Sequence, residues 1–341
     1  MDKERESSPS TNRKRDALEN ESMTVARRSE KFWFDDGSVV LQVESVQYRV
    51  HRSILASYSP VFNDLFRVPQ PEGDRSGWVD GCPTVCMAGD TTRDWESVLG
   101  FIYKPSSLAL KWPDVGRLAG MMRLGKKYQI DDIFAEALAR LRAQFPRTLA
   151  ARDAMTAGGN MELCEWISKY FQVITRLGEE MGLWSILPVA YYMAASYEEN
   201  IPSFILYYRN LSPNSMRSVA HGTAAIWDDV VSRSFRWTKP TELTIPTISC
   251  ASKPKCTAAR TLALAEVCAK VGKQDAGIAL DVWKRGAGCE FCAECLRAAQ
   301  TACEGGRAYI WDHLARYFLG DNWEKLEDTK SDVLPAIWRP R

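Results

Sequence analysis

Residues 48–66 read YRVHRSILASYSPVFNDLF. Tyr48 and Val50 alternate with Gln47 and Arg49, the period-two pattern of a half-buried strand. The period changes at His51. Ile54, Leu55 and Tyr58 then follow helical spacing. Ser59-Pro60 restarts the chain: the serine suits a helix cap, and proline suits a first helical position, where its missing N–H costs nothing. Val61, Leu65 and Phe66 give the second short helix an apolar face. The stretch therefore predicts a strand that feeds two short helices through a tight corner.

Working outward, FWFDDGSVVLQVES (32–45) precedes this corner, and DGCPTVCMAGD (80–90), WESVLGFIYKP (95–105) and LGKKYQI (124–130) follow it. In this order and spacing the pieces resemble the BTB/POZ domain over Phe32 to Pro146, about a third of the chain. They are most similar to the BTB proteins expanded in mushroom-forming (basidiomycete) fungi. The C-terminal GGRAYIWDHLARYFLGDNW segment (305–323) resembles the ending of that subset. The resemblance implies an α+β N-terminal domain, a short three-stranded sheet with helices, followed by a mostly α-helical C-terminal domain. Its signature positions here are Asp36, Ser38, His51, Arg52, Leu55, Phe62 and Phe66.

For function the resemblance implies a non-enzymatic protein–protein interaction module. In the family the hairpin and first helix form a homodimer interface, and the third strand with its adjoining helices faces a cullin scaffold. A substrate adaptor of a cullin-type ubiquitin ligase is thus the alternative to self-association. A zinc-stabilised nuclear regulator is the third reading. One position departs from the family pattern. Many metazoan members pair the Arg after the family His with an Asp at the start of the first strand. Arg52 matches, but Ser38 stands at the strand position, leaving Asp35 and Asp36 as the nearest acids to substitute.

Composition bounds the rest. A chain of 341 residues suggests two domains. A net charge of +1 creates no global field for nucleic acid or membrane. There is no apolar run of membrane-spanning length and no secretory leader pattern, which implies an intracellular protein, cytoplasmic or nuclear. Residues 1–31 read as a disordered charged tail, because so few large apolar residues cannot offset the ordering entropy. Lys14-Arg15 with Arg27, Arg28 and Lys31 resembles a bipartite import signal running from Lys14 to Lys31, although solvated mixed-charge tail is the favoured reading. The division continues as a first domain over 32–146, a hinge-like linker over 147–160, a helical domain over 161–328 and a frayed end over 329–341.

Within the helical part, Leu163, Cys164, Ile167, Phe171 and Ile174 predict one amphipathic helix. Pro188 kinks a second helix or sits in its first turn, and Ser212-Pro213 starts a third. Thr238 to Pro254 reads as a loop, and Cys289 to Cys303 as a helix.

The ten cysteines are the main chemical signal. Without a secretion signal they are free thiols or metal ligands rather than disulfides. The favoured reading is a helix with Cys289, Cys292, Leu296, Ala299 and Cys303 buried on one face, and hence no cofactor. The competing reading is a structural zinc held by Cys250, Cys256, Cys289 and Cys292, with a first spacing of five residues, wider than the usual two to four or so. The three histidines form no His-x3-His pair, and no nucleophile elbow, P-loop or dinucleotide fingerprint is present. The twelve tryptophans fit core packing better than base stacking. No catalytic residues are assigned.

Overall fold

The structure is a computed structural model that describes residues 26–68, 77–104, 112–157, 161–197, 209–239, 245–272, 276–328 and 334–339. The chain divides into two compact units, Met1–Leu108 with Gly120–Glu136, and Ala109–Ala119 with Ala137–Arg341.

The N-terminal unit is built on a five-stranded mixed sheet in the order β1 (Arg27–Trp33), β3 (Val46–Val50), β2 (Val39–Val43), β5 (Cys82–Cys86) and β4 (Trp78–Val79). Strands β2 (Val39–Val43) and β3 (Val46–Val50) form the expected hairpin, with Val39 opposite Val50 and Val43 opposite Val46. Its turn places Glu44 at φ 49°. The valines, Leu41 and Tyr48 are closed to solvent, so both faces of the hairpin are covered and only Gln42 and Arg49 are partly open.

β5 (Cys82–Cys86) supplies the expected third strand, and the structure pairs it parallel to β2. Two strands were not expected. β1 (Arg27–Trp33) pairs parallel with β3, and the two-residue β4 (Trp78–Val79) pairs with β5. Residues 27–31 are therefore strand, not the end of a disordered tail. The strand hides from a hydrophobicity scan because it is a polar edge, on which only Ser29 and Phe32 are buried. Lys14 and Arg15 lie outside the described residues. Arg28 pairs with Asp80 at 2.7 Å, and Lys31 reaches Glu96 at 3.5 Å.

The corner behaves as predicted. α1 (Arg52–Tyr58) ends at Ser59, whose hydroxyl accepts the Phe62 N–H at 3.1 Å and so caps α2 (Pro60–Leu65), with Pro60 in the first position. The same hydroxyl donates to the Tyr128 carbonyl at 2.6 Å. Thr91 caps α3 (Thr92–Tyr103). Two further helices follow, α4 (Val115–Lys127) and α5 (Asp131–Arg142).

The second unit is mostly helical. α6 (Leu149–Thr156) occupies the stretch read as a hinge; Thr148 caps it by accepting the Ala151 N–H. It has no buried residue, which is why no apolar periodicity announces it. α7 (Met161–Met181) is the predicted amphipathic helix, burying Leu163, Ile167, Phe171 and Ile174. Pro188 falls in the first turn of α8 (Leu187–Tyr197), where it breaks no helical hydrogen bond. Ser212 and Pro213 open α9 (Pro213–Asp229) as a cap and first residue.

α10 (Lys253–Gly272), α11 (Ala293–Asp312) and α12 (Leu314–Leu319) complete the unit. The end of the chain is not frayed throughout. Trp338 is buried, its indole N–H donates to Ser218 Oγ at 2.8 Å, and its ring meets Trp184 edge-on. No helix among the described residues is long and apolar enough to cross a membrane.

Candidate functional site

Two constellations carry the candidate chemistry, one in each unit. The first is the corner around His51. Phe34, Asp35, Asp36 and Gly37 form a turn closed by the Gly37 N–H to the Phe34 carbonyl at 2.9 Å. A Cβ on Gly37 would sit 2.9 Å from Arg49 Cγ, so glycine is required by close approach. The turn places Asp36 Oδ1 3.1 Å from His51 Nε2. On the other ring edge, His51 Nδ1 lies 3.1 Å from the Tyr103 hydroxyl, which also accepts the His51 backbone N–H. One tautomer satisfies all three contacts: Nε2–H donates to Asp36, and the Tyr103 hydroxyl donates to Nδ1. Burial raises the Tyr103 pKa and keeps its proton in place.

Asp36 thus faces His51, and among the described residues no ion pair joins Arg52 to Asp35 or Asp36. Ser38 instead accepts the Arg52 backbone N–H at 3.0 Å, satisfying the first free N–H of α1. The Arg52 guanidinium donates to the Phe66 carbonyl at 2.6 Å and lies over the Phe66 ring. Leu55 and Phe62 are core, and Phe62 packs against Phe66, Trp95 and Tyr128. The constellation is a brace that fixes the strand-to-helix corner.

Beneath it lies a polar hub that sequence reasoning missed. Asp90 is buried and accepts from Trp95 Nε1 at 2.9 Å, the Tyr128 hydroxyl at 2.5 Å and Lys127 Nζ at 2.6 Å. Burial and the adjacent carboxylate push the Tyr128 phenol up to about 12. Its only trace in the sequence is an acid five residues ahead of a tryptophan, which does not reveal a partner 38 residues away.

Residues 28–144 match the family model described as BTB/POZ domain. This segment is a BTB/POZ domain. The match covers about a third of the chain, and the region C-terminal to it is mostly helical. No curated protein and no solved structure matches the chain. The BTB/POZ domain is generally a non-enzymatic protein–protein interaction fold, and no enzyme family is indicated.

The second constellation is in the helical unit. The sulfur atoms of Cys250, Cys256, Cys292 and Cys295 all lie within 4.8 Å of one another. Cys289 is not one of the four. The helix expected from Cys289 starts only at Ala293, with Cys292 as its cap. Gly288, at φ 79°, turns the chain before it. Cys289 is then buried elsewhere, with its thiol pushed up by burial, while Cys295 turns inward on the first turn of α11. The buried face of that helix runs through Cys295, Ala299 and Cys303. The sequence contains Cys-x2-Cys twice, as 289/292 and 292/295, and only the position of the helix start selects between them.

The other histidines are held by main chain: His221 Nδ1 lies 2.9 Å from the Tyr317 carbonyl, and His313 Nδ1 2.9 Å from that of Tyr309. A cavity of about 670 Å³ opens beside Arg152, Asp153, Trp283 and Arg307. Its arginines are engaged internally. Arg307 forks onto Asp153 at 2.8 and 2.9 Å, and Arg152 reaches Asp281 at 2.9 Å and the Leu280 carbonyl at 2.6 Å.

Proposed function

We propose that this chain acts by binding protein through its BTB/POZ domain, and first of all by pairing with a second copy of itself through the α1–α2 face. The observation that carries this is an apolar ledge at the end of α2. Leu65 and Val68 are 38% and 58% exposed and one turn apart, while Leu55 and Phe62 of the same two helices are closed off. Ile54, Tyr58 and Val61 are half-buried on those helices. Large apolar side chains exposed together favour an interaction surface. A twofold pairing buries the same ledge on both copies. Sedimentation velocity over a concentration series tests this. A species of twice 38.5 kDa that builds up with concentration supports it; a monomer at the highest soluble concentration overturns it.

A cullin-type scaffold is the second reading, favoured by the strand β5. Its middle residues are half-open, Cys86 is exposed, and the buried Thr84 hydroxyl has no hydrogen-bond partner among the described residues. Co-purification of a cullin that is lost when Thr84 and Cys86 are both changed to Arg would favour this reading. Co-purification that survives those changes would remove it.

A further inference from the structure

We propose that Cys250, Cys256, Cys292 and Cys295 bind one zinc ion that staples the start of α10 to the start of α11. Four thiolates at a tetrahedral zinc with bonds of about 2.3 Å stand about 3.8 Å apart. Cys250 and Cys292 are separated by 3.8 Å, and no pair exceeds 4.8 Å. All-sulfur tetrahedral sites favour zinc or iron–sulfur centres. A polynuclear iron–sulfur cluster carries its cysteines on outer corners, farther apart than ligands of a single ion. Four cysteines with no open position make the site structural rather than catalytic.

The surroundings point the same way. Each sulfur faces a main-chain N–H. Cys292 N–H donates to Cys256 at 3.2 Å, and Thr247 N–H to Cys295 at 3.4 Å. Cys292 receives the N–H groups of Cys295 and Ala251, and Cys250 that of Ser252. Such donors orient metal-bound thiolates and offset their charge. Cys256 and Cys295 are closed to solvent, while Cys250 and Cys292 are part-exposed and give an ion an entry side. Binding is an exchange of protons for metal: four thiols release four protons, and the four sulfurs each donate a pair to Zn²⁺.

The ion would tie together positions 36 and 42 residues apart. It would also fix Phe291, next to a ligand, against Trp237 and Trp283. The sequence supports both halves independently, with Cys256 in the first turn of α10 and Cys292-x2-Cys295 opening α11.

The test is metal analysis of the full chain purified reduced from zinc-supplemented cells. One zinc per chain is expected in the wild type. C289S and C268S should retain it, and C256S and C292S should fall below a tenth. Because a ligand variant could lose zinc by unfolding, two measurements avoid that route. Cys250→His should retain zinc, since imidazole replaces a thiolate. Wild type reconstituted with Co²⁺ should show thiolate charge-transfer bands and intense tetrahedral visible bands. The proposal is overturned if the wild type carries no zinc and gives no cobalt–thiolate spectrum. It is equally overturned if zinc survives in both C256S and C292S, if iron occupies the site, or if mass spectrometry finds Cys250 joined to Cys292.

Discussion

Replacing Asp90 should loosen the BTB/POZ domain by an amount that depends on what replaces it. Asp90→Ala strands the Trp95 and Tyr128 donors, while Lys127 keeps the Ala88 carbonyl at 3.0 Å. Trp95 is fully buried and Tyr128 nearly so, so neither regains water, and each stranded donor costs about 1–3 kcal/mol. Lys127 is 44% exposed and solvates its own charge, so its share is at most about 1 kcal/mol. The total for Asp90→Ala is about 2–7 kcal/mol.

Asp90→Asn keeps one carbonyl oxygen for Trp95 and Tyr128 and turns an amide toward Lys127. It should cost about 1–2 kcal/mol. Hydrogen exchange read by mass spectrometry on peptides from α3 and α4 gives the opening free energy locally. At 1.36 kcal/mol per tenfold, Asp90→Ala should speed exchange there by roughly thirtyfold or more, and Asp90→Asn by roughly tenfold. Equal exchange rates for the two variants would refute the hub.

Gly222→Ala should destabilise the helical unit by about 1–3 kcal/mol in urea unfolding, because the added Cβ would run into the ring of the fully buried Phe318. Ser59→Ala removes both the α2 cap and the bond to the Tyr128 carbonyl, and should cost about 1–2 kcal/mol, whereas Ser59→Thr should recover most of it. Alkaline pH should weaken the fold in a defined window. Burial raises the Tyr128 phenol to about 12 and Tyr192 likewise to about 12, so the folded state holds these protons longer than the unfolded state. That stability is complete below pH 10 and is lost as pH climbs through 12. The thermal midpoint should fall across that window, with a shallower slope in Tyr128→Phe.

The corner 48–66 was legible because every device in it is local. A change of period, a Ser-Pro start and an apolar face each show within a few residues. The family pieces around it were legible for the same reason, and Ser38 could be located but not interpreted. Its hydroxyl caps α1 across the hairpin, a contact that needs the register of β2 against β3. What escaped was structure made by tertiary contact. β1 is a polar edge held by pairing, α6 buries nothing, and Trp338 docks through one indole bond and one ring. The clustered sulfurs differ from the set read in the sequence by one residue. Cys289 and Cys295 are equally spaced from Cys292, and Gly288 with the start of α11 decides which faces the other sulfurs.

Whether the α1–α2 face joins two copies is decided by comparing the wild type with the double variant Leu65→Glu, Val68→Glu in sedimentation equilibrium. Both positions are exposed, so the fold should tolerate the change and far-UV circular dichroism should be unchanged. Pairing through this face predicts a concentration-dependent dimer for the wild type and a monomer for the variant. A monomeric wild type, or a variant that dimerises as tightly as the wild type, would contradict it.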